Sequence, residues 1–242
     1  RSTLFPYTTL FRSPYRHRNL GRRFWWWHAA VPAAGLGLAL VVTNVSSLDE
    51  AVARAWAYGP SGWIGSGAWW AEELLHEGGR NAVRAIAAAC LAVALLVRRP
   101  QWRAMAMYLF AAIAASAVLA GALKRLTNVD CPWDLQGFDG TRPYVHLFAD
   151  RPDALPRAAC FPGAHAASGF SLVAVYFVLR DRHRRLAGLV LAAALAIGVA
   201  FSVAQEARGA HFLSHDLASA FLAWFVSVAL YLHSAKASVD HE

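Results

Sequence analysis

Apolar residues gather into six long runs along the chain, at 25–45, 82–97, 104–123, 164–179, 186–204 and 217–232. Most approach the roughly 20 residues that cross a hydrocarbon layer as a helix, and the short second and fourth need flanking residues or tilt. The runs are rich in Ala, Leu and Val and lack the two-residue alternation of a membrane barrel strand, so they read as helices. Ala115, Ser116 and Gly121 in the third run, and 166–169 in the fourth, are small enough to let helices touch closely. The pattern predicts an all-α fold, a polytopic membrane bundle of about six transmembrane helices.

Composition sharpens this. Only 16% of the residues are charged and 57% are hydrophobic, whereas soluble domains carry about a quarter charged residues. No polar linker divides the runs, so one domain is expected over 25–235, preceded by a basic cytoplasmic segment at 14–24. Residues 1–13 resemble a translated sequencing-adapter read and lack a signal peptide's apolar core, so they are expected to be non-native. The net charge of +8 would suit a nucleic-acid binder, but it sits in Arg16, Arg18, Arg22, Arg23, Arg98, Arg99, Arg103, Arg180, Arg182, Arg184 and Arg185, flanking the runs. That is the positive-inside pattern, and no nucleic-acid partner is expected. It puts the amino terminus and the links 98–103 and 180–185 in the cytoplasm, and the connections 46–81, 124–163 and 205–216 outside. Trp56, Trp63, Trp69 and Trp70 in the first outer connection read as interfacial anchors, with a lipid-headgroup clamp as the functional alternative.

Three stretches carry chemistry to that outer end: KRLTNVDCP at 124–132, PGAH at 162–165 and RGAHFLSHD at 208–216. Cations beside lipid are costly unless they face a polar cavity or partner. Lys124 and Arg208 supply permanent charge for phosphate oxygens, Arg208 as a planar fork. His211 is a candidate nucleophile, and His165, at the start of a helix whose free N–H groups favour anions, a candidate general acid. An acid or imidazole one turn beyond His211 would hold its tautomer; His215 sits at i+4 and Asp216 one residue further.

Together these residues resemble the type 2 phosphatidic acid phosphatase family, the membrane branch of the superfamily that includes bacterial acid phosphatases and vanadium haloperoxidases. The family's first motif is lysine, six residues, then arginine-proline; here Lys124 is followed after six residues by Cys131-Pro132. Its second, proline-serine-glycine-histidine, corresponds to Pro162-Gly163-Ala164-His165. Its third has an arginine, a histidine and an aspartate four residues on. Residues 209–214 match around His211, while Gln205 stands six before it, Arg208 three before it, and the aspartate is displaced to Asp216. The resemblance covers about 82–232.

It implies an integral-membrane lipid phosphate phosphatase in a bacterial inner membrane, its site facing the periplasm and its partners a lipid phosphate and the bilayer. His211 would attack phosphorus, His165 would protonate the leaving group, and water would hydrolyse the phosphohistidine. Lys124, Arg208, Gly163 and Ala164 would hold the phosphate, with no cofactor and no metal, because the cations carry the transition-state charge. Arg142, also followed by proline, or Arg80 or Arg84, would replace the missing first-motif arginine. Either Asp216 or His215 would orient His211. The alternatives are a lipid phosphotransferase of the same family, a non-catalytic membrane protein or transporter, and a zinc hydrolase built on His211 and His215. In an oxidising compartment Cys131 and Cys160 are candidates for a disulfide, with Cys90 in mid-helix.

Overall fold

The apolar runs fold as helices because a backbone in lipid must satisfy its own hydrogen bonds. The computed structural model describes residues 20–239, so the adapter-like segment 1–13 and residues 14–19 of the basic segment lie outside the described residues. In chain order the helices are α1 (Arg22–Val45), α2 (48–57), α3 (Trp70–Leu96), α4 (Pro100–Thr127), α5 (Ala164–Leu179), α6 (Arg184–Ala207) and α7 (Leu213–Val239). A two-stranded hairpin, β1 (Tyr58–Gly59) and β2 (Gly62–Trp63), lies between α2 and α3. Among the described residues, α1, α3, α4, α6 and α7 are long and apolar enough to cross a membrane, and α5 is apolar but shorter.

Helix α3 starts at Trp70, twelve residues before the apolar run at 82–97 that announced it. Glu72, Glu73, His76, Glu77 and Arg80 are helical, the first turns being π-helical over Trp70–Gly78. Hydropathy detects only lipid-facing surface, whereas His76 and Arg80 of these turns line a polar cavity and Glu73 and Glu77 are exposed.

The helices pair as α3 on α4 and α5 on α6, with α7 against α1, α4 and α5. Small residues make the closest contacts: a Cβ at Gly198 of α6 would stand 2.2 Å from the Phe170 ring of α5. At one end Phe24, Tyr108, Phe177, Val228 and Tyr231 form a buried cluster. There Arg180 lies over the Phe24 ring at 4.7 Å, and Tyr231 donates to Asp181 at 2.7 Å. Outward-facing Leu38, Leu95, Leu96, Val118 and Leu189 are exposed, as a lipid-facing belt requires.

At the other end the long 128–163 segment is pinned at several points. Asn128, in the left-handed conformation, closes α4 and accepts from the Ala158 N–H at 2.8 Å. Cys131 and Cys160 are disulfide-bonded, with Cα atoms 5.2 Å apart. Buried Asp130 accepts from both Arg142 and Arg151. A smaller aromatic cluster, Leu135, Phe138 and Phe212 with Tyr58 and Trp63, joins this segment to the hairpin and to the start of α7.

Candidate active site

Lys124 at the end of α4, His165 at the start of α5, and Arg208, Ala210 and His211 between α6 and α7 line one cavity of about 660 Å³. α3 contributes His76, Arg80 and Arg84 to the same wall, and Ala164, Gln205, Trp133 and both disulfide cysteines complete its polar end. Val83, Ala87, Ile113, Ala114 and Ala117 of α3 and α4 continue it as an apolar wall. The three motif stretches, far apart in sequence, therefore meet.

Local hydrogen bonds bring the two histidine stretches together. The Gly163 N–H donates to the His215 carbonyl at 3.2 Å, and Ser219 Oγ donates to the Gly163 carbonyl at 2.8 Å. These tie the start of α5 to the first turns of α7. The turn before His211 is held by Ala210 N–H to Gln205 O at 2.9 Å and Trp133 N–H to Gly209 O at 3.0 Å. Gly209 has φ +71°, and a Cβ there would lie 2.4 Å from the Trp63 indole, so only glycine fits. Trp63 thus packs over the turn before His211, stacked on Phe138 at 5.1 Å, while Trp56, Trp69 and Trp70 are exposed as interfacial anchors would be. Phe212, buried in the aromatic cluster, fixes the residue beside His211.

Gly163 is also where the chemistry converges. A Cβ on it would lie 2.8 Å from Asp216 Oδ1 and 3.1 Å from both Cε1 and Nδ1 of His211. Asp216 and the Nδ1 edge of His211 therefore flank one point of backbone. His215 stands differently: its ring is at 86° to that of His211, 5.5 Å away, and packs edge-on to Phe161. The buried Asp216 carboxyl has Glu206 as its acidic neighbour across the turn between α6 and α7. His211 is buried, and burial holds its pKa below that of free imidazole, with His215, Lys124, His165 and Arg208 adding in the same sense. Burial thus favours the neutral imidazole over the charged form. His165 stacks on Phe201 at 4.3 Å and meets His76 edge-on at 5.0 Å.

Arg208 is aimed by its neighbours. It donates to Gln205 Oε1 at 3.1 Å and lies 3.6 Å from Glu72 of α3. Gln205, at the family's arginine position, thus sits on the cavity wall and helps hold the arginine that moved. Arg142 does not reach the cavity; its guanidinium is spent on Asp130 at 2.6 Å and Asp134 at 3.5 Å. The Asp130 contact also raises the Arg142 pKa. Arg142 thus braces the 128–163 segment through a buried carboxylate instead of lining the cavity. Among the described residues no group of three or more His, Cys, Asp or Glu converges as metal ligands.

Sequence reasoning missed His76 and Glu206. His76 had a signal, standing four and eight residues before Arg80 and Arg84 on one helical face, but it lay in what reads as a loop. Glu206 had none, since its approach to Asp216 depends on the turn between α6 and α7.

Comparison with curated proteins and with solved structures gives no match. The family model described as the PAP2 superfamily matches residues 105–238, more than half of the chain and all three motif stretches, and the chain belongs to that superfamily.

Proposed function

We propose that the protein is a lipid phosphate phosphatase of the membrane, working through a phosphohistidine on His211. The observation that carries this is one cavity with two chemistries: a cationic and imidazole end beside an apolar wall. A phosphate head with a hydrocarbon tail has the same division. Asp216, beside Nδ1, holds His211 so that Nε2 attacks phosphorus; the P–N bond forms as the ester P–O bond breaks. His165 gives its proton to the departing oxygen, and the bound phosphate dianion supplies the counter-charge that favours a protonated His165. Water then attacks phosphorus, the P–N bond breaks, and inorganic phosphate leaves. Lys124 and Arg208 neutralise the charge that builds on the equatorial oxygens. The basic links at 98–103 and 180–185 support, by the positive-inside rule, a site that faces the periplasmic side of a bacterial inner membrane.

The test is phosphate release from a panel of lipid phosphates by purified protein, with EDTA present, together with trapping of labelled phosphate on the enzyme. An alkali-stable, acid-labile phosphoenzyme that disappears in His211→Ala is expected. Full activity in His211→Ala, or no release from any lipid phosphate, overturns the reading.

A further inference from the structure

We propose that Glu72 is a positioning residue for Arg208, and that the outer segment 63–72 carries it there, holding in place an arginine that stands three residues from the family's position. This rests on the phosphatase reading above and adds the element that orients the phosphate-binding fork.

The displaced arginine needs such an element. Gln205, six residues before His211, is buried on the last turn of α6, where the helix itself directs a side chain. Arg208 stands past Ala207, the last residue of that helix. A long side chain there has many rotamers, and ordering it on the cavity wall takes contacts from elsewhere.

The segment 63–72 supplies them at three consecutive residues. The Gly65 N–H donates to the Ala207 carbonyl at 2.9 Å, and a Cβ on Gly65 would lie 2.8 Å from Ala207, so the two backbones touch. Glu72 Oε1 lies 3.6 Å from Arg208 Nε. Trp63 fills the space over Gly209. Between these contacts the segment is a run of turns, with Ser66 N–H to Trp63 O at 3.1 Å, Ala68 N–H to Gly65 O at 3.2 Å and Glu72 N–H to Ala68 O at 3.0 Å. The same Glu72 Oε1 accepts from the Gly67 N–H at 3.0 Å. The carboxylate is therefore itself tied to the segment that touches Ala207.

Arg208 and Gln205 line the cavity and Glu72 does not, so Glu72 acts through the arginine and not on the substrate. Nε faces Glu72, and Nη1 donates to Gln205 Oε1 at 3.1 Å. A guanidinium is planar, so two such contacts set its plane, and its remaining N–H groups are what it offers to phosphate oxygens. The Glu72 side chain is 39% exposed, so the pair adds little to folding stability, and its effect is on direction. Residues 63–72 precede the family match at 105–238.

Orthovanadate, a phosphate analogue, is the probe, as an inhibitor of aryl phosphate turnover by the purified full chain in detergent micelles. Glu72→Ala should raise the vanadate inhibition constant and lower kcat/KM, each by about tenfold, the scale of one misaligned charge-assisted contact. Its Tm should stay close to that of the wild type. Glu72→Gln keeps an acceptor for the Gly67 N–H but loses the charge, and should show most of the same loss. In an Arg208→Lys background, which has no planar fork to aim, Glu72→Ala should cost about twofold or less. An unchanged inhibition constant in Glu72→Ala, or a Gln variant equal to wild type, overturns the positioning role. Equal losses in the wild-type and Arg208→Lys backgrounds also overturn it, and all three outcomes leave the phosphatase reading intact. A folded wild type that neither hydrolyses a phosphate ester nor binds vanadate overturns both.

Discussion

The Asp49 carboxylate accepts a 2.9 Å hydrogen bond from the backbone N–H of Ser214, 165 residues further along the chain. Ser214 is in the first turn of α7, where helix amides lack partners of their own. Asp49 therefore caps the helix that carries Asp216, from a short helix in the first outer connection, and it does so almost fully buried. The start of α7 is built by two distant pieces of chain, Asp49 on one side and Gly163 on the other.

Burial pushes the Asp49 pKa up to about 6 from an ordinary 3.8. The folded protein then holds a proton that the unfolded chain has lost, so this group's stabilisation is complete below about pH 4 and is lost as pH rises through about 6. Asp49→Asn keeps an oxygen for Ser214 and should flatten that slope in thermal denaturation between pH 4 and 7, compared with wild type. Asp49→Ala removes the acceptor and should cost about 0.5–2 kcal/mol at every pH. A slope identical in wild type and Asn variant would show that Asp49 is not the titrating group.

His211→Ala should abolish phosphate release, since no neighbouring group shares its place beside Gly163 and Asp216. His165→Ala should slow alkyl phosphates far more than aryl phosphates with activated leaving groups, because only the former need a proton on departure. Burial holds the His211 pKa below the usual 6.5, so the limb of kcat/KM that reports the neutral nucleophile should stay flat through pH 6.5 and fall only at more acid pH. Steady-state kinetics on both substrate types across pH tests all three statements.

Asp216→Asn should lower kcat by about 10²–10⁴-fold, and His215→Asn by much less. The carboxylate stabilises the imidazolium that forms on His211, and its oxygen flanks the same point as His211 Nδ1; the His215 ring stands at right angles to that of His211. Single-turnover rates of the two variants give the ranking, and a more damaging His215→Asn would reverse the assignment.

Gly163→Ala places a methyl group 2.8 Å from Asp216 Oδ1 and 3.1 Å from the His211 ring. The pair must separate to admit it. Activity should fall by about 10²-fold, as expected for displacement of reacting groups by about an ångström. Overpacking of this kind costs only about 1–3 kcal/mol, so the variant should still fold. Measuring kcat and Tm on the same preparation distinguishes the two effects; a variant with full activity would mean that this contact does not set the geometry.

The membrane bundle, the clustering of chemistry at one end and the family were legible in the residues themselves. Hydrophobic run length depends on the bilayer and not on contacts within the chain, and motif spacing survives even where Cys131, Gln205 and Asp216 depart from the family pattern. Less was legible wherever a polar residue's role depends on its partner. Arg142 followed by proline reads as a phosphate ligand, yet buried Asp130 claims it. Arg80 reads as loop, yet α3 begins at Trp70 and turns it inward. The approach of Asp216 to His211, the partnership of Glu206 with Asp216 and the cap from Asp49 are set by packing between segments more than a hundred residues apart or by one tight turn. Periodicity reports which side of a helix meets lipid. Which polar groups meet each other inside was decided only when α3, α5 and α7 closed around one cavity, because a hydrogen bond or charge contact acts over a few ångströms and depends on the tertiary fold to bring its partners there.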